Sequence, residues 1–216
     1  MLIITKRDYR GVENLNQDSG IIVAMNHNSW FDPLVMAQFM WDNNRPPRFL
    51  GKASLFKIPV IGWLVWGAGQ IPVYRESRHA KIAVRGAVRA VEKGEAVILS
   101  PEGTLTRDPN LWPMEGKTGA ARIALATKAP VIPAAHWGAH LVLAPYSKKL
   151  KLFPRKTMIV LAGKPIELSD LYDQEITGEV LKEATSRIMD GITNCLAEIR
   201  QEKAPEKRIA WTKEKP

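Results

Sequence analysis

The chain has 216 residues, enough for one domain with a sizeable core and too few for two comfortable ones. Its 31 Lys and Arg against 22 Asp and Glu give a formal net charge of +9, which points to an anionic partner: nucleic acid, membrane phosphate or an anionic metabolite. The single cysteine, Cys195, excludes a disulfide framework and a cysteine-rich metal site and fits a reducing, cytosolic compartment, and no run approaches the roughly 18 apolar residues that span a bilayer.

Met1-Leu2-Ile3-Ile4, followed by Lys6 and Arg7, does not read as a signal peptide. Ile21 to Met25 is a β-branched apolar run of strand length, and Asp32-Pro33 is an N-cap followed by proline, which predicts a helix over Pro33 to Trp41. Arg48 to Lys52 reads as a short strand. Ile58 to Gly69, the least polar segment, carries Trp63 and Trp66 one turn apart and suits either a core helix or one lying in a bilayer interface. A strand at Ile71 to Tyr74, a helix at Arg78 to Lys93 ended by Gly94, and a strand at Ala96 to Ser100 follow. Next come a helix from Lys117 to Lys128 and strands at Val131 to Ala135 and Met158 to Ala162. A closing helix, Gly178 to Gln201, places Val180, Leu181, Ile188, Ile192, Leu196 and Ile199 at helical spacing. The alternation predicts an α/β fold: one layered domain over residues 1–200, a mixed, mostly parallel sheet flanked by helices, with reactive loops beyond the strand ends. Residues 201–216, dense in charge and with two Pro, read as a flexible basic tail.

The most informative feature is Asn26-His27-Asn28-Ser29-Trp30-Phe31-Asp32-Pro33. In a continuous helix residues five apart diverge by roughly 140°, so His27 and Asp32 meet only across a bend, such as the passage from strand to helix predicted here. On that bend Asp32 orients His27 as a general base; the alternative is that Asp32 merely caps the helix. After the strand at Ala96 to Ser100 stands Pro101-Glu102-Gly103-Thr104-Leu105-Thr106-Arg107. Gly103 permits close approach of the backbone to a ligand, Glu102 and Thr104 suit hydroxyls and Arg107 suits a phosphate, although a polar surface turn has the same composition. Lys52 and Arg75, at the ends of two predicted strands, would form an anion pocket if one sheet edge gathers them. His136, in the Pro-bracketed strand near Val131, is the only rival base and reads as structural, since no acid stands near it in sequence.

Together the blocks around His27, Gly51 to Phe56 with Arg75, Pro101 to Thr104, and Val131-Ile132-Pro133 resemble the glycerolipid acyltransferase family, in particular its bacterial 1-acylglycerol-3-phosphate acyltransferases, over about Val12 to Ile166. The resemblance implies acyl transfer from acyl-CoA or acyl carrier protein to the free hydroxyl of a lysophosphatidate, with His27 as base and Asp32 as its partner. It implies substrate-binding roles for Asn26, Lys52, Arg75, Glu102, Gly103, Thr104 and Arg107, and neither metal nor cofactor beyond the thioester co-substrate. Anionic membrane lipids and the lysophospholipid acceptor are the implied partners, nucleic acid is not, and the implied location is the inner face of the cell membrane. Two departures stand out: Leu105 follows Glu-Gly-Thr where many members have Arg, with Arg107 two places later, and only about twenty residues precede the first predicted strand. Membrane docking then needs another element, for which the cationic Pro145 to Lys156 segment with interleaved Leu and Phe is a candidate; a solvated hairpin is the alternative. Glycerol-3-phosphate or another lysolipid as acceptor, a thioester hydrolase, and a non-catalytic basic binding module are the competing functions.

Overall fold

A computed structural model describes residues 5–73 and 77–210. Seven strands form one sheet: β1 (Thr5–Arg10), β2 (Ile21–Met25), β3 (Pro47–Lys52), β4 (Ile71–Val73), β5 (Ala96–Leu99), β6 (Val131–Trp137) and β7 (Lys156–Ala162). Their spatial order is β1-β7-β6-β2-β5-β3-β4. Every pairing is parallel except β6 with β7, so β2 to β6 all point their C-terminal ends at one edge. That edge is where loops in such sheets carry chemistry.

The central strand β2 is buried along its whole length, and its pleat divides its side chains between two cores. Ile21, Val23 and Met25 face α1 (Asp32–Asp42), packing with Val35, Met36, Phe39 and Met40. Ile22 and Ala24 face the other layer, built from α3 (Ser77–Glu92), α4 (Gly119–Thr127) and α6 (Gly178–Arg200). A strand buried on both faces needs the unbroken apolar run that the sequence has here. Two short helices, α2 (Ile61–Gly67) and α5 (Ala139–Val142), lie beyond the ends of β3 and β6.

The predicted strands and long helices all form, with ends shifted by one or two residues. Tyr74 lies outside the described residues. β1 was not foreseen: Thr-Lys-Arg-Asp-Tyr-Arg has no clean apolar alternation, and it becomes a strand through its parallel ladder with β7. Its charges suit a sheet edge, which must resist pairing with other chains. Ile58 to Gly69 is not a core helix. It splits into a turn and the seven-residue α2, whose Trp63 and Trp66 are 76% and 57% exposed. Residues 201–210 do not hang free as a tail: Glu115 N–H donates to Ile209 O, and Arg208 pairs with Asp190 on α6.

At the exit of β6 Gly138 adopts φ +106, and a Cβ there would lie 2.1 Å from Thr157 O. A side chain at this position meets both a disallowed backbone conformation and the carbonyl of β7. Gly138→Ala is expected to lower stability by about 3 kcal/mol, read as a drop in the urea midpoint at unchanged slope. An unchanged midpoint would show that the crossing relaxes freely.

Candidate active site

The chain leaves β2 at Asn26 and enters α1 at Asp32, and the tight passage between them builds the site. Asp32 stands at the first helical position, but its carboxylate turns back over the loop instead of capping the helix, which has no side-chain cap. Oδ2 accepts from the backbone N–H of Asn28 at 2.7 Å, from that of Ser29 at 2.8 Å, and from His27 Nδ1 at 2.9 Å. Because a carboxylate so engaged only accepts, Nδ1 carries the proton and Nε2 presents its lone pair outward. The His27 side chain is 15% exposed while Asp32 is fully buried, so the imidazole is reached from outside and its partner is not. Ser29 Oγ donates to Leu143 O at 2.6 Å, tying this loop to the stretch after α5.

His27 is also gripped through its backbone. Its N–H donates to Glu102 Oε1 at 3.2 Å, and its carbonyl accepts from Thr106 N–H at 2.7 Å. Glu102 Oε2 accepts from Met114 N–H at 3.0 Å. Glu102 is wholly buried, with each carboxyl oxygen committed to a backbone amide, so it holds the loops around His27 together instead of facing a substrate hydroxyl. Burial pushes its pKa up to about 8, against the opposing pull of the two amides.

Asn26 is likewise turned inward. Its side chain donates to His136 O at 3.2 Å and accepts from His136 N–H at 2.9 Å, stitching the end of β2 to β6. Substrate contact through that amide is excluded by its burial. His136 has the acid that the sequence did not place beside it: Nε2 donates to Asn26 O at 3.0 Å and lies 3.5 Å from Asp32 Oδ2. Being fully buried, His136 supports Asp32 and is no rival base. Near it lies His140, whose ring packs tilted against Trp137 with centroids 4.2 Å apart and whose pKa burial lowers to about 4. A neutral imidazole therefore closes the back of the site.

The other predicted residues that the structure describes lie on the loop after β5 and at the end of β3. Gly103, exposed with φ +67, and half-buried Thr104 lie on the loop after β5. Leu105 is fully buried, and its carbonyl accepts from Tyr146 Oη at 3.1 Å. An inward-facing Leu105 supplies no charge, which leaves half-buried Arg107 as the cation of this loop. Lys52, exposed, ends β3 at the same sheet edge as the His27 loop. Arg75 lies outside the described residues. One cation escaped the sequence reading: a Cβ on Gly103 would meet Lys117 Nζ at 3.3 Å, so that ammonium lies over the Glu-Gly-Thr turn. Lys117 looked like the first residue of a helix, and its position just before Thr118-Gly119 was the only signal available.

A family model described as acyltransferase matches residues 6–137. The chain is 30% identical over 158 residues to a 1-acyl-sn-glycerol-3-phosphate acyltransferase of Bacillus subtilis, covering 73% of this chain and 72% of that one. It is 33% identical over 130 residues to a chloroplastic 1-acyl-sn-glycerol-3-phosphate acyltransferase of Brassica napus, covering 59% of this chain but only 36% of that relative. Among solved structures, the 1-acyl-sn-glycerophosphate acyltransferase of Thermotoga maritima superposes with a TM-score of 0.70 at 20% identity, covering 93% of this chain and 75% of that one, a likeness of fold. Since the family match takes in the whole of the sheet from β1 to β6, with both loops that hold His27, the chain belongs to the acyltransferase family.

Proposed function

We propose that this protein transfers a fatty acyl group from a thioester, on coenzyme A or acyl carrier protein, to the free hydroxyl of 1-acylglycerol-3-phosphate, giving phosphatidic acid. The observation that carries this reading is the 2.9 Å contact between His27 Nδ1 and a buried Asp32 that leaves Nε2 open. The relatives named above as 1-acyl-sn-glycerol-3-phosphate acyltransferases supply the acceptor class.

In this scheme Nε2 of His27 takes the hydroxyl proton as the acceptor oxygen attacks the thioester carbonyl. The tetrahedral centre then collapses, the C–S bond breaks, and the leaving thiolate takes the proton from the imidazolium. Asp32 fixes the tautomer and stabilises the imidazolium while it lasts, the role of the acid in a hydrolase triad. His136, fully buried with its Nε2 3.5 Å from the same carboxylate, packs against Asp32 and limits its room to swing away. No protein nucleophile takes part: Cys195 is buried in α6, where burial raises its pKa to about 11, and the chain has no Gly-x-Ser-x-Gly turn. Lys52, Arg75 and Arg107 meet the acceptor phosphate. The acceptor is a bilayer lipid, and the protein works as a peripheral one at the inner face of the cell membrane. Among the described residues no helix is long and apolar enough to cross a membrane.

His27→Ala and Asp32→Ala are each expected to lower the transfer of labelled oleoyl from CoA to lysophosphatidate by about 10²- to 10⁴-fold at unchanged circular dichroism; near-normal turnover in a folded variant refutes the mechanism. Lys52→Ala and Arg75→Ala are expected to raise KM for the acceptor well beyond KM for the thioester, and an equal rise in both removes them from the phosphate site. Glu102 titrates near 4.5 in the unfolded chain and near 8 in the fold, so between those values the native state holds the extra proton. The contribution of Glu102 to stability is therefore fully present below pH 4.5 and is lost as pH rises toward 8. Chemical denaturation of Glu102→Gln should lack this decline, and parallel pH curves for variant and parent would show the carboxyl to be ionised in the fold.

A further inference from the structure

We infer that α2 and the turn before it form a membrane-inserting face, which presses into an anionic bilayer and brings the His27 edge onto the lipid surface. The inference rests on the proposed reading for its partner class, but its physical grounds lie outside the reacting groups. Val60 is 72% exposed, and Leu64 joins Trp63 and Trp66 in the open. The segment is folded on itself: Phe56 meets Trp66 edge-on at 5.0 Å, and Gly62 packs against the Phe56 carbonyl. Its apolar side chains are thereby held outward, where burying them in the protein would need some other surface. A helix with exposed Trp and aliphatic residues beside Lys57 has the composition of an interfacial helix, with indoles at headgroup depth and ammonium groups at the phosphates.

Charge selects the occupant. Between residues 43 and 75 there is no acid, and there is none between residues 116 and 166, while 11 of the 22 acidic residues follow Ile166. The first acid-free stretch contains α2. The second contains the 138–155 connection from β6 to β7, with exposed Leu150 and Phe153 among Lys148, Lys149, Lys151 and Arg155. Both connections leave the sheet at the edge that holds His27, since β3 and β6 end there. Two connections that carry cations and apolar side chains but no acid of their own complement a negatively charged leaflet, and Glu95, near the end of α2, is paired with Arg48, which also donates to Ala68 O. A second copy of this chain would bring the same cations against themselves.

The test uses the full chain with vesicles of phosphatidylcholine alone and with one third phosphatidylglycerol. The parent protein is expected to sediment with the anionic vesicles, and Trp63→Ala/Trp66→Ala to bind them at least tenfold more weakly. Brominated acyl chains should quench the parent's tryptophan fluorescence more than that of the double variant, a reading that holds even if the variant is less stable. Turnover on a short-chain lysophosphatidate and thioester, both below their micellar concentrations, should be equal in the two proteins. His27→Ala should bind vesicles like the parent, so failure of the catalytic mechanism is distinguishable from failure of the docking face. Equal vesicle binding by parent and double variant overturns the inference. So does loss of turnover on the soluble pair, which would place the face around the acyl chain, and so does a parent dimer that the double variant dissociates.

Discussion

The structure turns on one buried carboxylate. Asp32 has no contact with solvent, and an unpartnered charge there would cost several kcal/mol, so the surrounding chain must deliver donors to it. Two amides and one imidazole N–H do so, all converging on Oδ2, with the His136 ring packed 3.5 Å away. To bring the amides of Asn28 and Ser29 within reach, the loop must curl as it leaves β2. That curl is what presents His27 at the sheet edge. The demands of solvating a charge thus shape the site, and the site inherits a fixed tautomer from them.

A second constraint explains why two loops far apart in sequence act as one. Parallel neighbours β2 and β5 end side by side, and their following loops exchange two hydrogen bonds, from His27 N–H to Glu102 Oε1 and from Thr106 N–H to His27 O. Glu102 accepts at both oxygens, so removing it would orphan the amides of His27 and Met114 together. The Glu-Gly-Thr turn therefore holds the His27 loop before it serves any ligand. Lys117 over Gly103, and Arg107 beyond a buried Leu105, show how positive charge reaches this turn without an Arg directly after the Thr.

What the sequence made legible was local. The apolar run of β2, the Asp-Pro helix start and the bend between His27 and Asp32 all follow from backbone chemistry within a dozen residues. The parallel sheet followed from strand-helix alternation. What stayed hidden depends on strand order. Asn26 and Glu102 are polar residues after strands, and nothing in their own neighbourhood tells that β6 and the 106–114 loop turn their side chains inward. His136 looked bereft of an acid because its acid arrives through the pairing of β2 with β6. Residues 201–210 read as tail because charge density resembles disorder, yet Arg208 finds Asp190 across one turn of chain reversal.

The openness of His27 then acquires a physical meaning. A general base that activates an alcohol will also activate water, and a thioester in a wet site is lost to hydrolysis. Here the imidazole meets Trp30 edge-on at 5.9 Å, and Trp30 and Leu34 beside it are themselves exposed, so the protein alone does not complete a dry wall on that side. In the docking proposed above, with the edge seated on lipid, the bilayer would supply the missing wall. On the proposed mechanism the acceptor hydroxyl would then approach Nε2 from the membrane side. Exposed apolar side chains, costly for a protein in water, would on that proposal become part of what keeps water from His27.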